Sequence, residues 1–163
     1  MILAHLYRTM KDLTTNKNYL FVAFGKEELG LIGSDAMADA IPKESRKNYC
    51  AMVNFDSFGM AYPQALRNIS DEPLIKLAKE TSKEMNIPFA DAGIDFASSD
   101  SQSFRRKKIP AIGLHGLNNK WTDFLHSRAD KVANVNTQSV YVGYRHGLVF
   151  LSKIEQRPCD SFR

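Results

Sequence analysis

The sequence predicts an α/β layered domain with a mainly parallel sheet. Three observations carry this: short apolar runs of strand length, helical-period segments alternating with them, and turn residues at most junctions. Residues 1–13 place Ile2, Leu3, Leu6, Met10 and Leu13 at helical spacing, which predicts an amphipathic helix that opens without a capping residue. After a turn over 14–18, Tyr19-Leu20-Phe21-Val22-Ala23-Phe24 is continuously apolar, as expected of a strand covered on both faces, and it ends at Gly25. A second helix is predicted after Gly30, carrying Leu31, Ile32, Met37 and Ala38. It stops before Pro42, because proline disfavours helix in the residue that precedes it.

Residues 49–55 read as the next strand and 65–69 as a short one. Pro73 fits the first helical position of a helix to Met85 with Leu74, Leu77 and Ala78 inward. A loop is expected over about 87–99, a short helix over 101–107, and a buried strand over 109–114 entered through Pro110. Asn136 is placed to cap a long final helix to about Ile154, striped by Val140, Tyr144, Leu148 and Leu151.

Composition narrows the function classes. With 163 residues, 44% hydrophobic and 25% charged, the chain has the profile of one globular domain over 1–163. No apolar run approaches the roughly 18 residues of a membrane span, so no membrane role is expected. The net charge is 22 − 18 = +4, and the basic residues are scattered except for Arg105, Arg106, Lys107 and Lys108. That cluster reads as a solvated face, and no nucleic-acid partner is expected. Cys50 and Cys159 have no CxxC or Cys/His spacing around them, which excludes a thiolate zinc site. Cys50 lies in the apolar run 49–53 and reads as a small buried thiol, leaving the redox compartment open. The first eight residues lack the cationic start and cleavage site of a secretory signal.

Three segments can carry chemistry. Gly25-Lys26-Glu27-Glu28-Leu29-Gly30 puts two adjacent carboxylates on the turn after a predicted strand, the end at which open α/β sheets bind ligands. Such a pair can divide its work, one carboxylate ligating a cation while the other acts as general base. Asp56, in Asn54-Phe55-Asp56-Ser57-Phe58-Gly59, is an acid at the end of another predicted strand. His126 precedes Asp130 in Leu125-His126-Ser127-Arg128-Ala129-Asp130. Glu, Asp and His are suitable zinc ligands, although composition alone does not bring them together.

The order and context of these segments resemble the zinc aminopeptidase and glutaminyl cyclase superfamily, peptidase family M28. Fourteen positions, from Phe21 through Gly25-Lys26-Glu27-Glu28-Leu29-Gly30 to Ser34, are similar to the family's signature. Asn54-Phe55-Asp56-Ser57-Phe58-Gly59, Ser99-Asp100 before Phe104, Ile109-Pro110-Ala111 and His126-Ser127-x-x-Asp130 then follow in the family's order. The resemblance implies a three-layer helix/sheet/helix fold with a mixed, mainly parallel sheet. It implies Glu27 as general base, Glu28 as a ligand of one zinc with His126 as its partner, and Asp56 as a ligand of a second zinc. Asp100 and Asp130 would stand behind the ligands or on the substrate side. Ser127 stands where Thr is usual.

One part of the family pattern has no match. Family members carry a further His and a bridging Asp ahead of the first helix, and His5, His115 and His146 occupy the wrong places to replace them. The chain therefore reads as the C-terminal part of an M28-like catalytic domain, with an incomplete ligand set for the two zinc ions of the family site. The implied activity is zinc-dependent removal of N-terminal residues from peptides. Glutaminyl-peptide cyclisation is the alternative enzyme; cyclases commonly have Trp before the ligand His, where this chain has Leu125. A noncatalytic binding or structural chain is the alternative from another class. Self-association through an exposed sheet edge is also expected. The resemblance is compatible with a periplasmic or secreted location.

Overall fold

Period-two alternation along two adjacent strands divides the core into two apolar layers. The computed structural model describes residues 1–94 and 97–163. In chain order it contains α1 (Ile2–Met10), α2 (Ile32–Ala40), β1 (Met52–Phe55), β2 (Gln64–Leu66), α3 (Glu72–Glu84), β3 (Ala90–Ala92), α4 (Ser101–Arg106), β4 (Ala111–His115) and α5 (Thr137–Glu155), with short 3-10 turns between them. The sheet order is β1-β4-β2-β3. β1 pairs parallel with β4 and β2 parallel with β3, while β2 and β4 are antiparallel, so the sheet is mixed and mainly parallel.

Val53, Phe55, Ile112 and Leu114 share one face and pack with Ile2, Leu6 and Met10 of α1, Leu74 and Leu77 of α3, and Phe150 of α5. Met52 and Ala111 face the other way, onto Ala38 of α2 and Phe104 of α4. The pleat thus produces the helix/sheet/helix layering directly. Phe150, Leu74 and Ile112 are fully buried, and burying a side chain of this kind stabilises the fold by about 1.5–3 kcal/mol. Asn136 caps α5 as its sequence position predicts, its side-chain oxygen accepting from the backbone N–H groups of Gln138 and Ser139.

The structure corrects the sequence reading at several places. Residues 19–24 form no ladder: β1 ends the sheet order, and these six residues make no backbone-to-backbone hydrogen bond among the described residues. Their side chains nevertheless alternate as in a strand, Tyr19 and Phe21 packing on the α1/α5 layer and Phe24 on the α2/α4 layer, with Leu20 69% exposed. Apolar patterning alone cannot supply a hydrogen-bonding partner. The loop expected over 87–99 contains β3, whose ladder with β2 no periodicity announces, since Ala90 and Ala92 are exposed. Asp95 and Phe96 of that loop lie outside the described residues. The strand expected over 65–69 becomes β2 followed by a 3-10 turn over Arg67–Ile69, and α1 closes at Met10 rather than near residue 13.

Cys50 is not a free thiol. It is joined to Cys159 in a disulfide, with the two Cα atoms 4.4 Å apart. The basic cluster is largely neutralised by acids on neighbouring elements: Arg105 pairs with Asp71 at 3.0 Å, Arg106 with Asp35, and Lys107 with Asp39. Among the described residues no helix is long and apolar enough to cross a membrane.

The uncharged run 19–24, without a backbone partner among the described residues and with Leu20 69% exposed, offers an edge for another strand. Sedimentation velocity is expected to show a mass that rises with concentration, and Leu20→Lys to return the protein toward monomer. A single monomeric species across micromolar concentrations would contradict this expectation.

Candidate functional site

Four of the predicted residues converge at the C-terminal ends of β1 and β4. Glu27 and Glu28 sit on a tight backbone loop after residues 19–24. Within it the Glu27 carbonyl accepts from the N–H groups of Gly30 and Leu31 at 3.0 and 2.8 Å, and the Gly25 carbonyl accepts from Gly33 at 3.1 Å. Gly33 is required by that last contact, since a Cβ there would stand 2.6 Å from the Gly25 oxygen. Lys26 and Leu31 both adopt left-handed backbone, at φ 59° and 61°.

Asp56 follows β1 directly, its N–H donating to the Leu114 carbonyl at 3.0 Å. The Ser57 hydroxyl donates to the Asp56 carboxylate at 3.2 Å, and Ser57 is left-handed at φ 50°. The helix behind this corner is shaped to receive it. A Cβ at Gly143 or Gly147 of α5 would stand 2.5 or 2.7 Å from the rings of Phe58 and Phe55, so the two glycines seat the aromatic residues that flank Asp56.

His126 lies in the loop after the 3-10 turn Trp121–Asp123 and is also left-handed, at φ 58°. Ser127 organises that loop: its hydroxyl lies within hydrogen-bonding reach of the Phe124 and Asp123 carbonyls, at 2.7 and 3.1 Å, and accepts from the Ala129 N–H at 3.1 Å. Non-glycine residues in left-handed backbone are uncommon and cost on the order of 1–3 kcal/mol each. Three of them, Lys26, Ser57 and His126, adjoin or are predicted site residues.

The closest contact of the site joins His126 Nε2 to Glu28 Oε2 at 2.9 Å, with both side chains about two-thirds exposed, 66% and 68%. So exposed a pair contributes little stability by itself. Its geometry comes from the two backbone loops, which aim a carboxylate oxygen and an imidazole nitrogen at one point. Burial raises the Glu27 pKa, and the charges of Asp56, Glu28 and Asp100 raise it further, while His126 lowers it. Three neighbouring carboxylates thus make Glu27 easier to protonate than an ordinary glutamate.

Asp100 is buried at the start of α4, and its Oδ1 has no hydrogen-bond partner among the described residues. Burial raises its pKa, the Ser34 hydroxyl lowers it, and Asp56 and Asp35 raise it again. Asp130 stands apart: among the described residues its side chain makes no hydrogen bond or ion pair, although its N–H donates to the Ser127 carbonyl at 3.2 Å. His115 and His146 are buried outside the site. The contributions of Ser127, Gly33 and Gly147 escaped the sequence reading. Only the Ser-for-Thr difference next to His126 gave any signal.

The donors fit zinc in kind and incompletely in number. Glu28 and His126 offer one oxygen and one nitrogen to a common point, and Asp56 lies near enough to Glu27 to act on its charge. Among the described residues, however, no group of three or more His, Cys, Asp or Glu side chains is placed to hold one ion. A catalytic zinc usually takes three protein ligands.

The family model described as Peptidase family M28 matches residues 1–143. A curated relative, Aminopeptidase YwaD of Bacillus subtilis (strain 168), is 31% identical over 64 residues, which are 39% of this chain and 14% of that protein. Among solved structures, the zinc aminopeptidase BSAP of Bacillus subtilis superposes with TM-score 0.82 at 15% identity, covering 99% of this chain and 42% of that one. The Legionella pneumophila LapA aminopeptidase gives TM-score 0.82 at 19% identity, covering 96% of this chain and 45% of its own. The aminopeptidase of Aneurinibacillus sp. strain AM-1 gives 0.79 at 20% identity, covering 94% and 37%. The chain spans less than half the length of each of these relatives.

Proposed function

Because the chain belongs to peptidase family M28, we propose that residues 1–163 form one α/β domain of a zinc-dependent aminopeptidase that removes N-terminal residues from peptides. The observation that carries this reading is the 2.9 Å approach of His126 to Glu28 beside a Glu27 surrounded by carboxylates. Glu28 and His126 would hold one zinc and Asp56 would serve a second, each needing further ligands. Bound zinc supplies Lewis acidity toward the scissile carbonyl and the attacking water.

The chain's own residues do the rest. Glu27 takes the proton of the attacking water on a carboxylate oxygen and returns it to the leaving amine nitrogen. Its raised pKa suits both halves of that transfer, since a more basic carboxylate accepts the proton more readily. Asp100, buried nearby, keeps negative charge beside Glu27 and helps to maintain that basicity. Ser127 and the left-handed turn at His126 hold the imidazole toward Glu28, and the Gly25–Gly33 contact holds the two glutamates in place.

Assay of aminoacyl anilides with added Zn²⁺, on the longest natural polypeptide that carries these residues, tests the proposal; conversion of N-terminal Gln peptides to the cyclic form without hydrolysis would replace it. A noncatalytic role has one observation in its favour, the missing third ligand among the described residues. Absence of turnover together with a retained fold would establish it. For the 163-residue chain itself, titration calorimetry is expected to show weak zinc binding that is lost in Glu28→Ala and in His126→Ala, because two protein ligands leave an ion largely hydrated. Tight stoichiometric binding that survives both substitutions would remove these residues from the ligand set.

A further inference from the structure

The two cysteines are the only ones in the chain, and they meet at a place remote from the proposed site. Cys50 lies two residues before β1, at the end of the strand opposite Asp56. Cys159 opens the last 3-10 turn, Cys159–Phe162, and the link spans 109 positions of sequence. The surrounding contacts are specific to this docking. Phe162 is 2% exposed in the layer shared with α1, α3 and α5. The Arg163 guanidinium donates to the carbonyls of Lys47 and Tyr49 at 3.0 and 2.9 Å, on the segment that leads into Cys50. Arg157 pairs with Glu80 of α3 at 3.0 Å on the approach to Cys159.

We infer that the chain matures in an oxidising compartment, where Cys50 and Cys159 are joined, and that the bond staples the segment Cys159–Phe162 to the entrance of β1. Disulfides of this kind persist where the surroundings are oxidising and are rare where glutathione keeps thiols reduced. The reaction is thiol–disulfide exchange with the disulfide of a protein thiol oxidoreductase. The two thiols give up two protons and two electrons, one S–S bond forms in this chain, and the S–S bond of the donor is reduced to two thiols. A cross-link that closes so long a loop restricts the unfolded chain strongly, so its effect falls on stability and on the C-terminal turn rather than on Glu27 or His126. The inference is independent of the metal chemistry proposed above.

The test begins in source cells quenched with acid, whose denatured protein is alkylated with iodoacetamide before and after reduction. The expected intact mass shows no adduct before reduction and two after it. Two adducts before reduction, or a disulfide between two chains, would overturn the inference. Reduction of the purified protein is expected to lower Tm by about 10 °C, and Cys50→Ser/Cys159→Ser to melt where the reduced protein does. If the double variant does not fold, the reduced native chain supplies the same comparison. An unchanged Tm on reduction would refute the staple.

Discussion

Glu27→Gln is expected to lower kcat by about 10²- to 10⁴-fold on aminoacyl anilides, the range typical of losing a general base, while metal content is unchanged. The amide is nearly isosteric and can still accept a hydrogen bond, but it cannot take the water's proton. The short contact of His126 is with Glu28, so the substitution leaves the predicted ligand pair in place. The loop is held by backbone hydrogen bonds through the Glu27 carbonyl rather than through its side chain, and Tm should move little. Near-normal turnover in Glu27→Gln would remove the residue from the proton path. Loss of zinc together with activity would instead make it a ligand.

The parts of the fold legible in the sequence are those whose cause is local. α2 ends before Pro42, α3 starts around Pro73, and α5 is capped by Asn136, each through a property of one residue acting on its own backbone. β1 and β4 are legible because each is a short, largely apolar run, half-buried in β1 and fully buried in β4. Residues 19–24 and β3 mark the limit: the first has a strand's side-chain pattern without a ladder, and the second has a ladder without the pattern. Pairing is a nonlocal property, and the same holds for the link between Cys50 and Cys159. At the site, the residue types of Glu27, Glu28, Asp56 and His126 were readable together with their order. What places His126 against Glu28 is the left-handed backbone at Lys26 and His126, and since neither residue is glycine that conformation is not legible in the sequence, although the turn over Gly25–Gly30 is.

Lowering the pH from about 6.5 to 4 is expected to destabilise the protein by about 3 kcal/mol through His115 alone, since a group contributes roughly 1.4 kcal/mol per unit of pKa displacement. Burial pushes His115 down from the usual 6.5 to about 4. Its Nδ1 accepts the Leu117 N–H at 3.2 Å, so protonation at that atom would also remove a hydrogen bond of the segment after β4. In this window the unfolded chain binds a proton that the native state refuses, and stability therefore rises with pH. Well above 6.5 both states are neutral and the effect is absent.

His146 acts in the same direction. Burial lowers its pKa against the opposing hydrogen bond to the Ala78 carbonyl; its ring stacks with those of Phe89 and Phe150, and its Nδ1 has no hydrogen-bond partner among the described residues. Glu27 and Asp100 act oppositely, because their raised pKa values let the native state take up protons first as the pH falls. The His115 contribution is therefore read as the difference between native protein and His115→Asn, whose side-chain oxygen can still accept from Leu117 and does not titrate. Urea unfolding at intervals from pH 7 to 4.5 is expected to give the native protein a slope steeper than that of His115→Asn by about 1.4 kcal/mol per pH unit below 6.5. Parallel slopes would show that His115 is protonated as easily in the folded state as in the unfolded chain, and that burial does not keep it neutral.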